Sequence, residues 1–114
     1  MRNVAMVADV HDEREGNERV AELLNPQDTK WKYKTCDITD EKAVIEVFKF
    51  AKDAFRSNVS IVVNCAGLLN EQTWKLCIQV NLIGSTIIAR TAIEQFGKHN
   101  GGAGGCVILI GSVA

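Results

Sequence analysis

The eight residues Ser60-Ile61-Val62-Val63-Asn64-Cys65-Ala66-Gly67 constrain this chain more than any other stretch. Ser60 to Val63 is a short strand-like run, apolar at successive positions and bounded by turn formers. Apolar neighbours without alternation suit a strand buried on both faces, as in a parallel sheet. The run then breaks into Asn-Cys-Ala-Gly, small residues that let a second backbone or a flat ligand come close. Ligands of open α/β sheets bind at the carboxyl ends of the strands. The stretch thus predicts a fold class and the edge on which to look for a site.

The rest of the chain supplies the neighbours such a strand needs. Val4 to Ala8, ending at Asp9, reads as a strand. Asp12 can cap a helix with Glu15 three residues on; Val20, Leu23 and Leu24 give that helix one apolar side, and Asn25-Pro26 stops it. Trp31 to Thr35 alternates apolar and basic residues, which suits an outer strand, and it ends in Cys36-Asp37-Ile38. Thr39-Asp40 opens a second helix, whose Val44, Val47, Phe48, Ala51 and Phe55 form one apolar stripe. After the central strand, Glu71 to about Gly97 reads as a long helix. The glycine run 101–105 then leads to a last buried strand, Cys106 to Ile110. The order strand-helix, strand-helix, strand-helix, strand predicts one α/β domain over residues 1–114, with a parallel sheet and right-handed crossovers.

Composition narrows the function classes. A net charge of −1 with interspersed signs gives no electrostatic footprint for nucleic acid or an anionic membrane. No leader-like segment opens the chain, and no apolar run is expected to span a bilayer. Cys36, Cys65, Cys77 and Cys106 lack CxxC spacing, which argues against zinc or a redox pair; three of them read as small buried hydrophobes. A reducing, cytoplasmic setting is expected. Asn58-Val59-Ser60 matches a glycosylation acceptor but is discounted in that setting.

Each strand ends in a polar or small group: Asp9, Asp37, Asn64 with Ala66 and Gly67, and Ser112. In a parallel sheet these ends converge on one edge. A strand-terminal Asp can accept both hydroxyls of a ribose and repels a 2′-phosphate. Asp37 could accept from an exocyclic amine such as adenine's, and Ser112 could hold a substrate oxygen. Any one of these alone is commonly a cap or turn residue; their coincidence at one edge favours a site. Asn81, between Val80 and Leu82 in an apolar stretch, needs a partner. It either bonds locally or to a neighbouring helix, or holds a water or a catalytic side chain.

These residues resemble the short-chain dehydrogenase/reductase family over essentially the whole chain. Val4 to Asp9 is similar to its second strand and ribose-binding Asp, and Cys36-Asp37-Ile38 to its adenine-contacting segment. Asn64-Cys65-Ala66-Gly67 resembles its Asn-Asn-Ala-Gly motif with Cys65 in place of the second Asn. Gln79-Val80-Asn81-Leu82 matches the segment carrying its catalytic Asn, and Ile110-Gly111-Ser112-Val113-Ala114 the one carrying its catalytic Ser. Asn70 to Trp74 and Lys98 to Gly105 further resemble the branch of NAD-dependent 15-hydroxyprostaglandin dehydrogenase and the insect alcohol dehydrogenases. The resemblance implies NAD as cofactor, held by Asp9, Val10, Cys36, Asp37, Ile38, Asn64, Cys65, Ala66 and Gly67, and oxidation of a small secondary alcohol to a ketone with Asn81 and Ser112 catalytic. It also implies a homodimer formed through the long helix.

The departures are as informative. The family's Gly-rich turn precedes its second strand, and its Tyr-x-x-x-Lys follows the catalytic Ser by about a dozen residues; neither is among these 114 residues. Tyr33, the one tyrosine, falls in the family's third strand and cannot substitute. In the strand order 3-2-1-4-5-6 the family's first strand separates the second from the fourth. Without it a partial doubly wound sheet of four strands and three helices keeps a gap of about two strand spacings, roughly 10 Å. Either the flanking strands close up, another chain fills the slot, or the segment does not fold stably alone. The chain by itself is expected to be inactive and to associate, or to act as a non-catalytic short form.

Overall fold

Local signals place nearly every element. The computed structural model describes residues 3–112; Val113 and Ala114 of the last motif lie outside them. Strand β1 (Asn3–Asp9) leads into α1 (Glu13–Leu23), where the Asp12 carboxylate accepts from the Glu15 amide at 2.8 Å. Strand β2 (Thr29–Thr35) leads into α2 (Glu41–Phe55), capped by the Asp40 carboxylate on the amides of Lys42 and Ala43. Strand β3 is Ile61–Asn64. A helical run then extends from Glu71 to Phe96. It comprises a 3₁₀ turn (Glu71–Thr73), α3 (Trp74–Ile78), a π turn (Gln79–Gly84) and α4 (Ser85–Phe96). Strand β4 is Cys106–Leu109.

β1 and β2 run parallel, in register from Asn3 opposite Thr29 to Asp9 opposite Thr35. β3 and β4 run parallel from Ile61 opposite Cys106 to Asn64 opposite Leu109. Among the described residues no ladder joins β1 to β3, so the sheet consists of two half-sheets. The flanking strands do not close up. Helix α2 packs on β1 and on α4, and α4 packs on β3 and β4, so the pair of helices sets the separation.

The larger buried cluster lies on the α2–α4 side. Cys36, Val44, Phe48, Ile88, Ala92 and Phe96 form a buried cluster, joined by Ile38, Val62 and Val107. The two faces of β2 are marked by consecutive residues. Tyr33 lies against Gly16 of α1, while the Lys34 ammonium sits over the Phe50 ring of α2, 5.2 Å from its centroid. Hence α1 covers one face of the β1–β2 half and α2 the other, with α4 packed on α2 and on the β3–β4 half.

Burial on both faces, expected for the central and last strands, is not found. Val62 and Val107 pack into the core, but Ile61 is 65% exposed, Val63 52%, Ile108 43% and Ile110 60%. One face of the β3–β4 half has a helical layer and the other has none, so a two-sided apolar pattern is only half satisfied. The thiols follow. Cys36 is buried, and desolvation, with the nearby Asp37 charge behind it, pushes its ionisation above the usual thiol range. Cys77 is half-buried, while Cys65 and Cys106 are exposed, contrary to the expectation of three buried cysteines.

The long helical run also corrects the sequence expectation about bilayer-length segments. Glu71–Phe96 is long enough to cross a membrane, and an 18-residue stretch within it is apolar enough, with a mean hydropathy of 1.5. Its second half nonetheless behaves as a core helix, with Ile88, Thr91, Ala92 and Phe96 buried.

Candidate functional site

The carboxyl ends of the four strands are tied to one another by a chain of contacts. The Cys36 amide donates to the Asp9 carbonyl at 2.8 Å, joining the ends of β1 and β2. Ile38, just past β2, packs where Gly84 of the π turn has no side chain; a Cβ there would lie 2.6 Å from Ile38. Three residues earlier in the same π turn, Asn81 grips the segment after β3. Its Oδ1 accepts from the Leu68 amide at 2.8 Å and its Nδ2 donates to the Leu68 carbonyl at 2.7 Å. The Ile110 amide donates to the Asn64 carbonyl at 3.0 Å, closing β4 onto β3. Among the described residues no ladder bond links β1 directly to β3; the Ile38–Gly84 contact, with the α2–α4 packing, bridges the two sides of the edge.

Asp9 is exposed, and its Oδ1 accepts from the Val10 amide at 2.7 Å. Val10 follows with its side chain in solvent, 65% exposed, where a flat base could lie against it. Asp37 is held by an Asx turn: Oδ1 accepts from the Thr39 amide at 2.9 Å and the Thr39 hydroxyl at 2.7 Å. These bonds, hydroxyl first, keep its carboxyl below the usual carboxylate range and therefore ionised.

Asn64 is buried and its side chain is fully engaged with protein. Nδ2 donates to the Ser85 hydroxyl at 2.9 Å, and Oδ1 accepts from the Ala66 amide at 3.2 Å. It therefore shapes the turn, while exposed Cys65, Ala66 and Gly67 present the surface a ligand would meet. Gly67 faces Asn81, whose Oδ1 would be 3.5 Å from a Cβ at that position. Ser112 is exposed, two residues beyond the Ile110 bond.

Asn81 resolves the choice left by its apolar setting. It bonds neither within its own turn nor to another helix; it clamps a loop thirteen residues away. The π turn supplies the geometry, because one wide turn shifts a side chain off the α-helical rows; such turns concentrate at functional positions. Sequence reasoning missed Leu68, Ser85 and Thr39 as partners of Asn81, Asn64 and Asp37. Of these, only Thr39, two residues after an Asp, carries a recognisable local signal. A surface hollow of about 530 Å³, lined by Lys52, Asp53, Arg56, Ser57 and Asn58, lies past the carboxyl end of α2, away from this edge.

Comparison with known proteins gives a consistent picture. The family model described as short chain dehydrogenase matches residues 2–114. The chain is 34% identical over 93 residues to 15-hydroxyprostaglandin dehydrogenase [NAD(+)] of Rattus norvegicus, and 32% identical to that of Homo sapiens. Each alignment covers 82% of this chain and 34% of the relative, so the chain spans about a third of the curated relatives' length. A short chain dehydrogenase from Mycobacterium smegmatis superposes with a TM-score of 0.79 at 23% identity, over 95% of this chain and 46% of that one. A short-chain type dehydrogenase/reductase from Mycobacterium ulcerans gives 0.77 at 20% identity, over 97% and 42%. At those identities the structural likeness speaks for the fold.

Proposed function

The chain belongs to the short-chain dehydrogenase family, and from that membership we propose that its strand-end edge takes the adenosine half of NAD and contributes Asn81 and Ser112 to oxidation of a secondary alcohol. The observation that carries this reading is the chain of contacts through Asp9, Ile38, Asn81 and Asn64. Along that edge lie a carboxylate, an ionised Asx-turn Asp and a small-residue loop, with Ser112 two residues past the Ile110 bond.

The donor set fits an adenosine. Asp9 offers a carboxylate to a ribose diol, Asp37 and Ile38 flank the position of a base, and Cys65 to Gly67 allow close approach. Asp9 disfavours a 2′-phosphate, although Arg14 is exposed on the first turn of α1. NAD, when bound, supplies the hydride acceptor. The chain's own part is to orient the nucleotide, to position the loop through Asn81, and to hold the alcohol oxygen at the Ser112 hydroxyl. The proposed substrate class, a hydroxyprostaglandin-like alcohol, follows from the likeness to the 15-hydroxyprostaglandin dehydrogenases. Exposed thiols at Cys65 and Cys106 fit a reducing, cytoplasmic setting.

Among the 114 residues there is no Gly-rich phosphate turn and no Tyr-x-x-x-Lys. The chain alone is therefore expected to show no turnover and to hold NAD weakly. Titration of the labelled chain with NAD, followed by amide resonances, should move Val10, Thr39 and Ala66 with an affinity far weaker than micromolar, and NADP should move them less. Micromolar affinity, a preference for NADP, or shifts confined to other residues would refute this assignment.

A second reading, action through association, is favoured by the apolar residues left in solvent. Trp74, Leu76, Ile78, Leu82 and Ile83 are exposed along the long helical run. Sedimentation equilibrium should reveal a concentration-dependent dimer that Leu76→Glu shifts toward monomer. A monomer at every concentration would remove this reading.

A further inference from the structure

We infer that Tyr33 is a positioning residue for Asp9: its hydroxyl fixes the turn Asp9-Val10-His11, and through it the direction of the Asp9 carboxylate. Tyr33 is 5% exposed on the α1 side of β2. Its ring lies flush against the backbone of Gly16, where a Cβ would come within 2.0 Å of the ring. A side chain on that helix position would push the ring away, so Gly16 and Tyr33 act as a pair.

Seated there, the hydroxyl reaches two carbonyls, Asp9 O at 2.9 Å and His11 O at 2.7 Å. It has one proton, so the donation is three-centred. Each carbonyl takes a second donor: the Cys36 amide on Asp9 O at 2.8 Å, and the Thr35 hydroxyl on His11 O at 2.7 Å. The peptide between Asp9 and Val10 is planar, so fixing its oxygen fixes the opposite direction of its N–H. That N–H holds Asp9 Oδ1 at 2.7 Å. The tyrosine proton and the carboxylate's aim thus belong to one rigid unit. Burial, and behind it the charges of Asp9, Asp12 and Glu15, raises the Tyr33 ionisation, so the proton is in place at neutral pH.

The functional meaning of that aim rests on the proposed adenosine site, but the device itself is measurable without cofactor. In the chain free of NAD, Tyr33→Phe keeps the ring on Gly16 and removes the donor. The Val10 amide proton should lose the downfield shift its short bond confers, while the amides of Met6 and Val7, inside the β1–β2 ladder, stay in place. An unmoved Val10 resonance in the folded variant would reduce Tyr33 to packing and overturn the inference.

If Tyr33→Phe does not fold, a second measurement decides. Tyr33 is the one tyrosine, so incorporation of a difluorotyrosine labels it alone and lowers its ionisation without altering the ring's shape. The Val10 amide should follow the ring's fluorine titration, after subtraction of the unlabelled chain's response to Asp9, His11, Asp12 and Glu15; independence of the two overturns the inference. Where Tyr33→Phe does fold, its NAD titration should give smaller shifts than the parent chain. Equal shifts would refute a role for the brace in cofactor binding. Absence of NAD shifts in both would refute the adenosine site and leave the brace to be judged on Val10 alone.

Discussion

Joining a strand–Gly-rich turn–helix unit of the short-chain dehydrogenase type ahead of Met1 is expected to raise the unfolding midpoint by roughly 10 °C and to bring NAD affinity into the micromolar range. β1 and β3 each present an unpaired edge to the same slot, and a parallel strand laid between them would complete two ladders at once. The helix that follows such a strand would cover apolar surface on Ile61 and Val63, both more than half exposed. Full burial of a side chain of that size is worth about 1.5–3 kcal/mol, so covering the exposed part of both contributes about 2–3 kcal/mol before any ladder is counted. At about 3 °C per kcal/mol for a domain of the resulting size, the shift is readily measured by calorimetry. The glycine turn would add backbone amides for the pyrophosphate at a helix N-terminus. A fusion that melts no higher than the parent and binds NAD no better would refute both the slot and the adenosine assignment.

Phe48→Ala should have the opposite effect, a loss of about 3–5 kcal/mol that leaves little folded chain. Phe48 is buried in the cluster with Val44, Ile88, Ala92 and Phe96, where α2 meets α4. In an intact sheet the strands would also connect the two halves; here that helix pair is the packing that does so. Hydrogen exchange should show the amides of β1–β2 and β3–β4 losing protection together, because removing the ring uncouples both halves from their common support. Leu69→Ala, at the most exposed large apolar side chain, serves as control and should leave exchange unchanged. Retention of full protection in Phe48→Ala would show that the halves are stable without the cluster.

The parts of the fold that sequence exposes are those with local causes. Asp12 and Asp40 mark helix starts because capping acts within three residues, and both caps form. The stripe through Val44, Phe48 and Ala51 announces the core face of α2 because its spacing is the helix's own. The burial of β3 and β4 departs from expectation for the opposite reason. A run such as Ile61-Val62-Val63 records that two layers can cover it, and says nothing about whether both are present. Similarly, Cys65 and Cys106 look like buried residues beside apolar runs, yet their exposure depends on neighbours elsewhere in the chain.

At the candidate site the polar residues stood out, whereas their partners did not. Asn81 is conspicuous among apolar neighbours, but nothing near it in sequence points to Leu68. The π turn that aims it has no residue pattern of its own. Tyr33 lies on the wrong strand for a catalytic residue, and its sequence neighbours do not announce its role. Its contacts with Asp9 and His11 join residues more than twenty positions apart, and the glycine that admits its ring is on α1.

The division into two half-sheets also bears on how the chain is made. The β1–α1–β2 unit has its complete ladder and both helix ends within the first 35 residues, so those contacts can form while α4 and β4 are still being synthesised. The β3–β4 ladder spans a longer stretch and must wait for Cys106 to Leu109. Docking of α2 on α4 needs residues only through Phe96, and until it occurs Phe48 and Phe96 face the surroundings of the emerging chain.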